Sequence, residues 1–310
     1  MTACTTRGQA LIFILYAARM KKNLPLLLLP ISGTFTAGPE RRPDVLALGL
    51  GVLLIVSAFM THINILTDAE LDRDKKPHLL LWLTADVALM KAVLGLELVL
   101  VVAGLGVLAW LGAPQVCLGL AVFTALTTLY SYNFLAPSRP VEARLKARWW
   151  GHFAVCQGAY MCLWYAGHFC AHGSSWATFR EWLPIFCLVS LSEYSLFLSE
   201  SAIDASEERK AGLRTFATLL GRQWSSVLAL GVWCLSAIGL GTCLLLMPPG
   251  SMQGLVAMAI LPAIAMRGIV EVMLVLPRAA WRDDALRSTL PDAVFFGSRI
   301  FTAVALLATL

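Results

Sequence analysis

The sequence predicts an all-α integral membrane protein of eight to ten transmembrane helices. Three observations predict it. Apolar residues make up 58% of the 310-residue chain and charged residues only 14%, a balance foreign to water-soluble domains. The apolar residues fall in blocks of roughly 20, the length that crosses a bilayer as a helix. Two acidic stretches, Asn64 to Pro77 and Glu200 to Thr215, close two of those blocks.

The elements follow in order. Residues 7–22 read as an interfacial lead-in, because the short apolar run is broken by Arg19, Lys21 and Lys22 and does not look like a cleavable leader. Span one, 23–38, enters through Pro25 and Pro30, and span two, 45–66, delivers Asn64 to its end. A charged loop, 70–78, leads to span three at 89–111. Gly112-Ala-Pro114 makes a tight turn into span four, 116–135, which gives way to a basic loop at 138–148. Span five covers 149–170, and span six, 182–203, delivers the second acidic stretch. Spans seven (224–247), eight (252–276) and nine (293–310) complete the set. The eight cysteines form no CxxC pair and lie mostly within apolar blocks, where they act as small packing residues.

Charge placement sets the orientation. The lead-in and the loops after spans two, four, six and eight hold nearly all the Lys and Arg outside the spans, whereas the opposite loops hold only Arg41, Arg42 and Arg180. By the positive-inside rule the crowded side faces the cytosol, and both acidic stretches open there. The net charge of +5 is modest; the bilayer is the expected partner and nucleic acid is not.

Each acidic stretch repeats an oxygen-bearing side chain every four residues: Asn64, Asp68 and Asp72, then Glu200, Asp204 and Glu208. On a helix these climb one face about 6 Å apart, and like charges so placed repel unless a cation meets them. Carboxylate and amide oxygens are hard ligands that suit Mg²⁺ shared with substrate phosphates. Cations accompany them: Arg73, Lys75 and Lys76 after the first stretch, Lys210 and Arg214 after the second.

These two stretches resemble the paired aspartate-rich motifs of the UbiA superfamily of intramembrane prenyltransferases. Asn64, Asp68 and Asp72 match its Asn-x-x-x-Asp-x-x-x-Asp motif position for position. The second motif appears with Glu200 and Glu208 in place of the outer aspartates, followed by Arg209, Lys210, Ala211, Gly212, Arg214 and Thr215. Tyr130-Ser131 and the loop to Lys146 resemble the family's Tyr-Ser-x-Pro-Pro-x-x-x-Lys segment with extra residues inserted, which leaves Arg144 and Lys146 as equal candidates for the lysine role. Gly151-His152 then resembles the Gly-Asn that opens the next span. The Arg-Pro-Leu expected after the first motif is absent: Pro77-His78 runs into leucines.

The resemblance implies a single domain over residues 1–310, about nine transmembrane helices around a central cavity that opens to the cytosolic side, in two pseudo-equivalent halves each carrying one acidic motif. It implies that Mg²⁺ held by Asn64, Asp68, Asp72, Glu200, Asp204 and Glu208 activates a prenyl diphosphate clamped by Arg73, Lys76, Arg144, Lys146, Lys210 and Arg214. The prenyl group passes to an aromatic or lipophilic acceptor, with Tyr130 and Lys146 carried over as catalytic residues. Within the same superfamily, terpene cyclases ionise the same donor, and the motifs do not separate the two. A transporter would need polar or broken helices near the bilayer midplane, whereas these carboxylates lie at one mouth.

Four ionisable residues fall inside apolar spans: Glu97, Glu193, Arg267 and Glu271. Arg267 and Glu271, four apart, suggest an internal pair. Glu193 lies two turns deeper than Glu200 on the same helical face, where a carboxyl freed of water would act as a general base or fix a polar acceptor group.

Overall fold

The computed structural model describes residues 27–34, 36, 42–67, 87–131, 145, 148–172, 174–210, 212–248 and 251–275. Among them the regular elements are all helices: α1 (Leu28–Thr34), α2 (Pro43–Thr67), α3 (Val87–Trp110), α4 (Pro114–Ser131), α5 (Trp149–His168), α6 (Trp176–Lys210), α7 (Phe216–Leu220), α8 (Arg222–Leu246) and α9 (Met252–Val275). The expected spans two to six correspond to α2 to α6, and spans seven and eight to α8 and α9. Span one is represented by the seven-residue α1. Span nine and the lead-in at 7–22 lie outside the described residues.

Local chemistry explains the boundaries. Pro43 and Pro114 open α2 and α4, where a missing N–H costs nothing. Gly112, at φ 73, ends α3. There Gly112 N–H donates to Ala109 C=O and Ala113 N–H to Leu108 C=O, the paired bonds of a Schellman turn. The same device ends α6 at Gly212, φ 74, through Gly212 N–H to Arg209 and Leu213 N–H to Glu208.

Among the described residues, five helical stretches are long and apolar enough to cross a membrane: Pro43–Thr67, Ala88–Trp110, Pro114–Ser131, Trp176–Ile203 and Arg222–Leu246. α6 runs 35 residues. At 1.5 Å per residue this is about 52 Å, well beyond the roughly 30 Å of a hydrocarbon core, so its last turns carry the acidic motif out of the apolar layer. α5 is less apolar for a different reason: it is enclosed. α1, α4 and α6 all pack on it, and Leu163, Trp164 and His168 are buried. α2 packs on α3 and α4, α6 on α8 and α9, and α8 on α9, so the bundle runs from α3 through α5 to α9 with α6 at its centre. α3 and α8 turn Val99, Val102, Leu235 and Ile238 outward, apolar surface of the kind that lipid covers.

At the end away from the acidic motifs, polar contacts lock the loops. His168 sits between Thr36 Oγ1 at 2.8 Å and Thr178 Oγ1 at 3.1 Å, and the Arg42 guanidinium donates to Leu111 C=O at 2.8 Å.

Candidate active site

α2 and α4 both finish, and α5 begins, at the end of the bundle where α6 completes its acidic face. Asn64 lies in the last turn of α2, and its Oδ1 accepts a hydrogen bond from Ser131 Oγ at 3.2 Å. That oxygen keeps a second lone pair for a cation. Next to Ser131, the Tyr130 hydroxyl meets His152 Nε2 of α5 at 2.9 Å. The His152 ring in turn lies 5.6 Å, centroid to centroid, from Phe197 of α6. Phe197 is one turn before Glu200, so a line of contacts joins the first acidic motif to the helix that carries the second.

Glu200 is partly exposed on α6 and Asp204 follows it one turn on, within the helix. Glu208 is engaged by its neighbours: its Oε2 accepts from Ser201 Oγ at 2.8 Å and from Thr215 Oγ1 at 2.6 Å. Thr215 also accepts from Thr218 N–H as the cap of α7. Glu208 thereby braces the turn that presents Arg214. Lys210 and Arg214 are exposed, and Arg214 pairs by a backbone bridge with Arg148, just before α5. Arg148, the last residue of the basic loop, thereby stands beside Arg214, a pairing that only the tertiary fold decides. Asp68, Asp72, Arg73, Lys76, Arg144 and Lys146 lie outside the described residues. Among the described residues no three His, Cys, Asp or Glu side chains converge. The donors that are described, one amide and carboxylate oxygens, have the chemistry that suits Mg²⁺.

The intramembrane charges extend across helices beyond the expected pair. Arg267 interacts electrostatically with Glu271 on its own helix and also reaches α6, where its guanidinium pairs with Glu193 and donates to Ser192 Oγ at 2.7 Å. Glu271 also accepts from the Ser199 hydroxyl. A spacing of four residues permits a pair, but a carboxylate on a facing helix competes for the same guanidinium. Glu193, 2% exposed, is thus half of an ion pair in place of the isolated carboxyl that the sequence suggests. Glu97, which had no partner legible in sequence, lies 2.9 and 3.1 Å from His62 Nδ1 through its two oxygens.

The family model of the UbiA prenyltransferase family matches residues 26–298, nearly the whole chain. The chain belongs to that family. Solved structures of UbiA homologues share its fold. One from Archaeoglobus fulgidus bound to GPP and Mg²⁺ is 16% identical, with a TM-score of 0.69 over 96% of this chain and 99% of that one. An apo UbiA homologue from Aeropyrum pernix K1 is 15% identical, with a TM-score of 0.68 over 93% and 97%. A digeranylgeranylglyceryl phosphate synthase structure is 17% identical, with a TM-score of 0.60 over 97% and 98%. Among curated proteins no sequence matches the chain significantly. At these identities the shared fold is what the UbiA structures establish, and the chemistry is argued from the side chains.

Proposed function

We propose that this UbiA-family protein is an Mg²⁺-dependent intramembrane prenyltransferase that ionises a prenyl diphosphate and passes the prenyl group to an aromatic or lipophilic acceptor. The observation that carries the reading is the line of contacts from Asn64 through Ser131, Tyr130 and His152 to Phe197, which draws both acidic motifs to one end of the bundle. The Mg²⁺-bound homologue from Archaeoglobus fulgidus supports the choice of metal.

In this reading Asn64, Asp68, Asp72, Glu200, Asp204 and Glu208 hold Mg²⁺. The bound metal would neutralise the diphosphate and make it a better leaving group. Lys210, Arg214 and Arg148, with Arg73, Lys76, Arg144 and Lys146, clamp the phosphate oxygens and orient them. The apolar interior below excludes water from the allylic carbon, so that a cation formed there survives to meet its partner. Trp and Phe faces lining such a path stabilise positive charge. The Glu193–Arg267 pair holds α6 against α9 beneath the site. The whole chain works as one membrane domain of two halves, its mouth in the cytosol.

The test is product analysis with purified protein, Mg²⁺ and geranyl, farnesyl and geranylgeranyl diphosphates, each with and without a lipid extract of the producing cells as acceptor source. Diphosphate release that depends on the extract and yields a prenylated product is the expected result, with Asp204→Ala abolishing it. A cyclised hydrocarbon formed from the donor alone would instead identify a cyclase built on the same site. No diphosphate release from any donor would sink the reading.

A further inference from the structure

Joining an allylic carbon to a π bond leaves a proton to be removed. When the C–O bond breaks, its electron pair departs with the diphosphate. The cation is then attacked by a carbon–carbon π bond, a new C–C bond forms, and a C–H bond next to the resulting cation must break to restore the π bond. Three of the described carboxylates are poorly placed to take that proton. Glu193 is engaged by Arg267, Glu208 braces the turn after α6, and Glu271 of α9 is tied to Ser199.

Tyr130 and His152 are better placed. Their hydroxyl and Nε2 are 2.9 Å apart, and their rings pack at 5.3 Å. His152 is 8% exposed, so bulk water has little access to it. Its ring packs on Phe197, which lies one turn, about 5 Å, deeper than Glu200. The pair therefore sits just inside the plane of the acidic motifs. A diphosphate anchored on those motifs would put its allylic carbon at this depth. The residue type matters as well: the resemblance has an asparagine where this chain has His152, and an amide takes up no proton, whereas an imidazole does.

We propose that Tyr130 and His152 act together as the proton acceptor of the reaction. The Tyr130 oxygen takes the proton from the substrate carbon while its own phenolic proton passes along the hydrogen bond to Nε2 of a neutral His152 that carries its proton on Nδ1. His152 becomes imidazolium and returns the proton to water or released diphosphate at the mouth. Tyr130 touches the substrate; His152 is a positioning residue that stores the proton. The step rests on the donor-ionising reading above and serves transfer and cyclisation alike.

The experiment repeats the donor panel on His152→Gln and Tyr130→Phe, measuring Mg²⁺-dependent donor binding, diphosphate release, prenylated or cyclised product, prenyl alcohol and melting temperature. Gln keeps an acceptor for the tyrosine hydroxyl but takes no proton. The expected result for His152→Gln is a split: donor binding and most diphosphate release persist, product falls on the order of 100-fold, and prenyl alcohol from water capture replaces it. Tyr130→Phe keeps the ring packing and gives the same split, which secures the comparison if His152→Gln melts early. An unchanged ratio of product to diphosphate in both variants overturns the proposal. So does a parallel loss of donor binding, diphosphate release and product in both, which would mark the pair as part of the donor site. A wild-type protein that releases no diphosphate sinks the function itself, and this step with it.

Discussion

At the residue scale, the informative contacts are those that orient a functional group rather than supply one. Ser131 reaches no substrate in the reading above, yet it holds the Asn64 amide at 3.2 Å. Partners of this kind fix a ligand's direction, and their loss costs roughly 10- to 100-fold in metal affinity. Ser131→Ala should therefore raise the Mg²⁺ concentration needed for half-maximal donor binding by about that factor, without lowering the melting temperature; an unchanged Mg²⁺ titration would detach Ser131 from the site. The Glu193–Arg267 pair makes a second case. Both residues are nearly fully buried, and removing one partner of such a pair typically costs about 3–5 kcal/mol, because a charge is stranded away from water. Arg267→Met should lower the melting temperature in detergent strongly, and adding Glu193→Gln should recover much of the loss. If the single and double variants melt alike, the pair does not hold α6 to α9.

At the element scale, close approach of helices decides where the site residues stand. α5 carries His152 near its N-terminus, and its other end is pressed against α1. A Cβ on Gly167 would collide with the backbone of Pro30, and one on Gly33 would meet the Trp164 carbonyl at 2.7 Å. Small residues at such crossings let backbones approach closely, as membrane helices require when no hydrophobic effect drives them together. Overpacking a buried contact usually costs about 1–3 kcal/mol. Gly167→Ala should thus destabilise the protein by an amount in that range, read as a shift in detergent melting, whereas Gly231→Ala, whose Cβ meets nothing, should shift it little. The end of α6 illustrates the same dependence. The glycine turn at 212 and the Glu208–Thr215 bond together set where Arg214 emerges, so the motif's Gly and Thr serve backbone geometry first.

At the scale of the whole molecule, the proposed reaction needs both acidic motifs and the basic loops on one face of the membrane. In a variant freed of its native cysteines, Lys75→Cys, Glu142→Cys and Lys210→Cys should label from the cytosolic side, and Ser174→Cys from the other. Mixed labelling of the first three would break the shared mouth, since helices of fixed length cannot bring loops from opposite faces to one substrate.

Much of this was legible in the sequence because the bilayer imposes its own period on a chain. The blocks at 45–66, 89–111 and 224–247 correspond closely to α2, α3 and α8, and the four-residue rhythm of the two motifs was enough to point to the family. The enclosed α5 matches its block at 149–170 as well, whereas α6 begins at Trp176, six residues before its block, because Arg180 and Glu181 interrupt the apolar run in its first turns. What only the tertiary structure decided is pairing. Spacing along one helix suggested Arg267 with Glu271; the fold brought Glu193 within reach, and it brought His152 to Tyr130, Arg148 to Arg214 and His62 to Glu97. The physical reason is the same each time. Periodicity reports which face of a helix is apolar, but a buried polar group takes its partner from whichever neighbour packs across from it, and that neighbour is set by the fold.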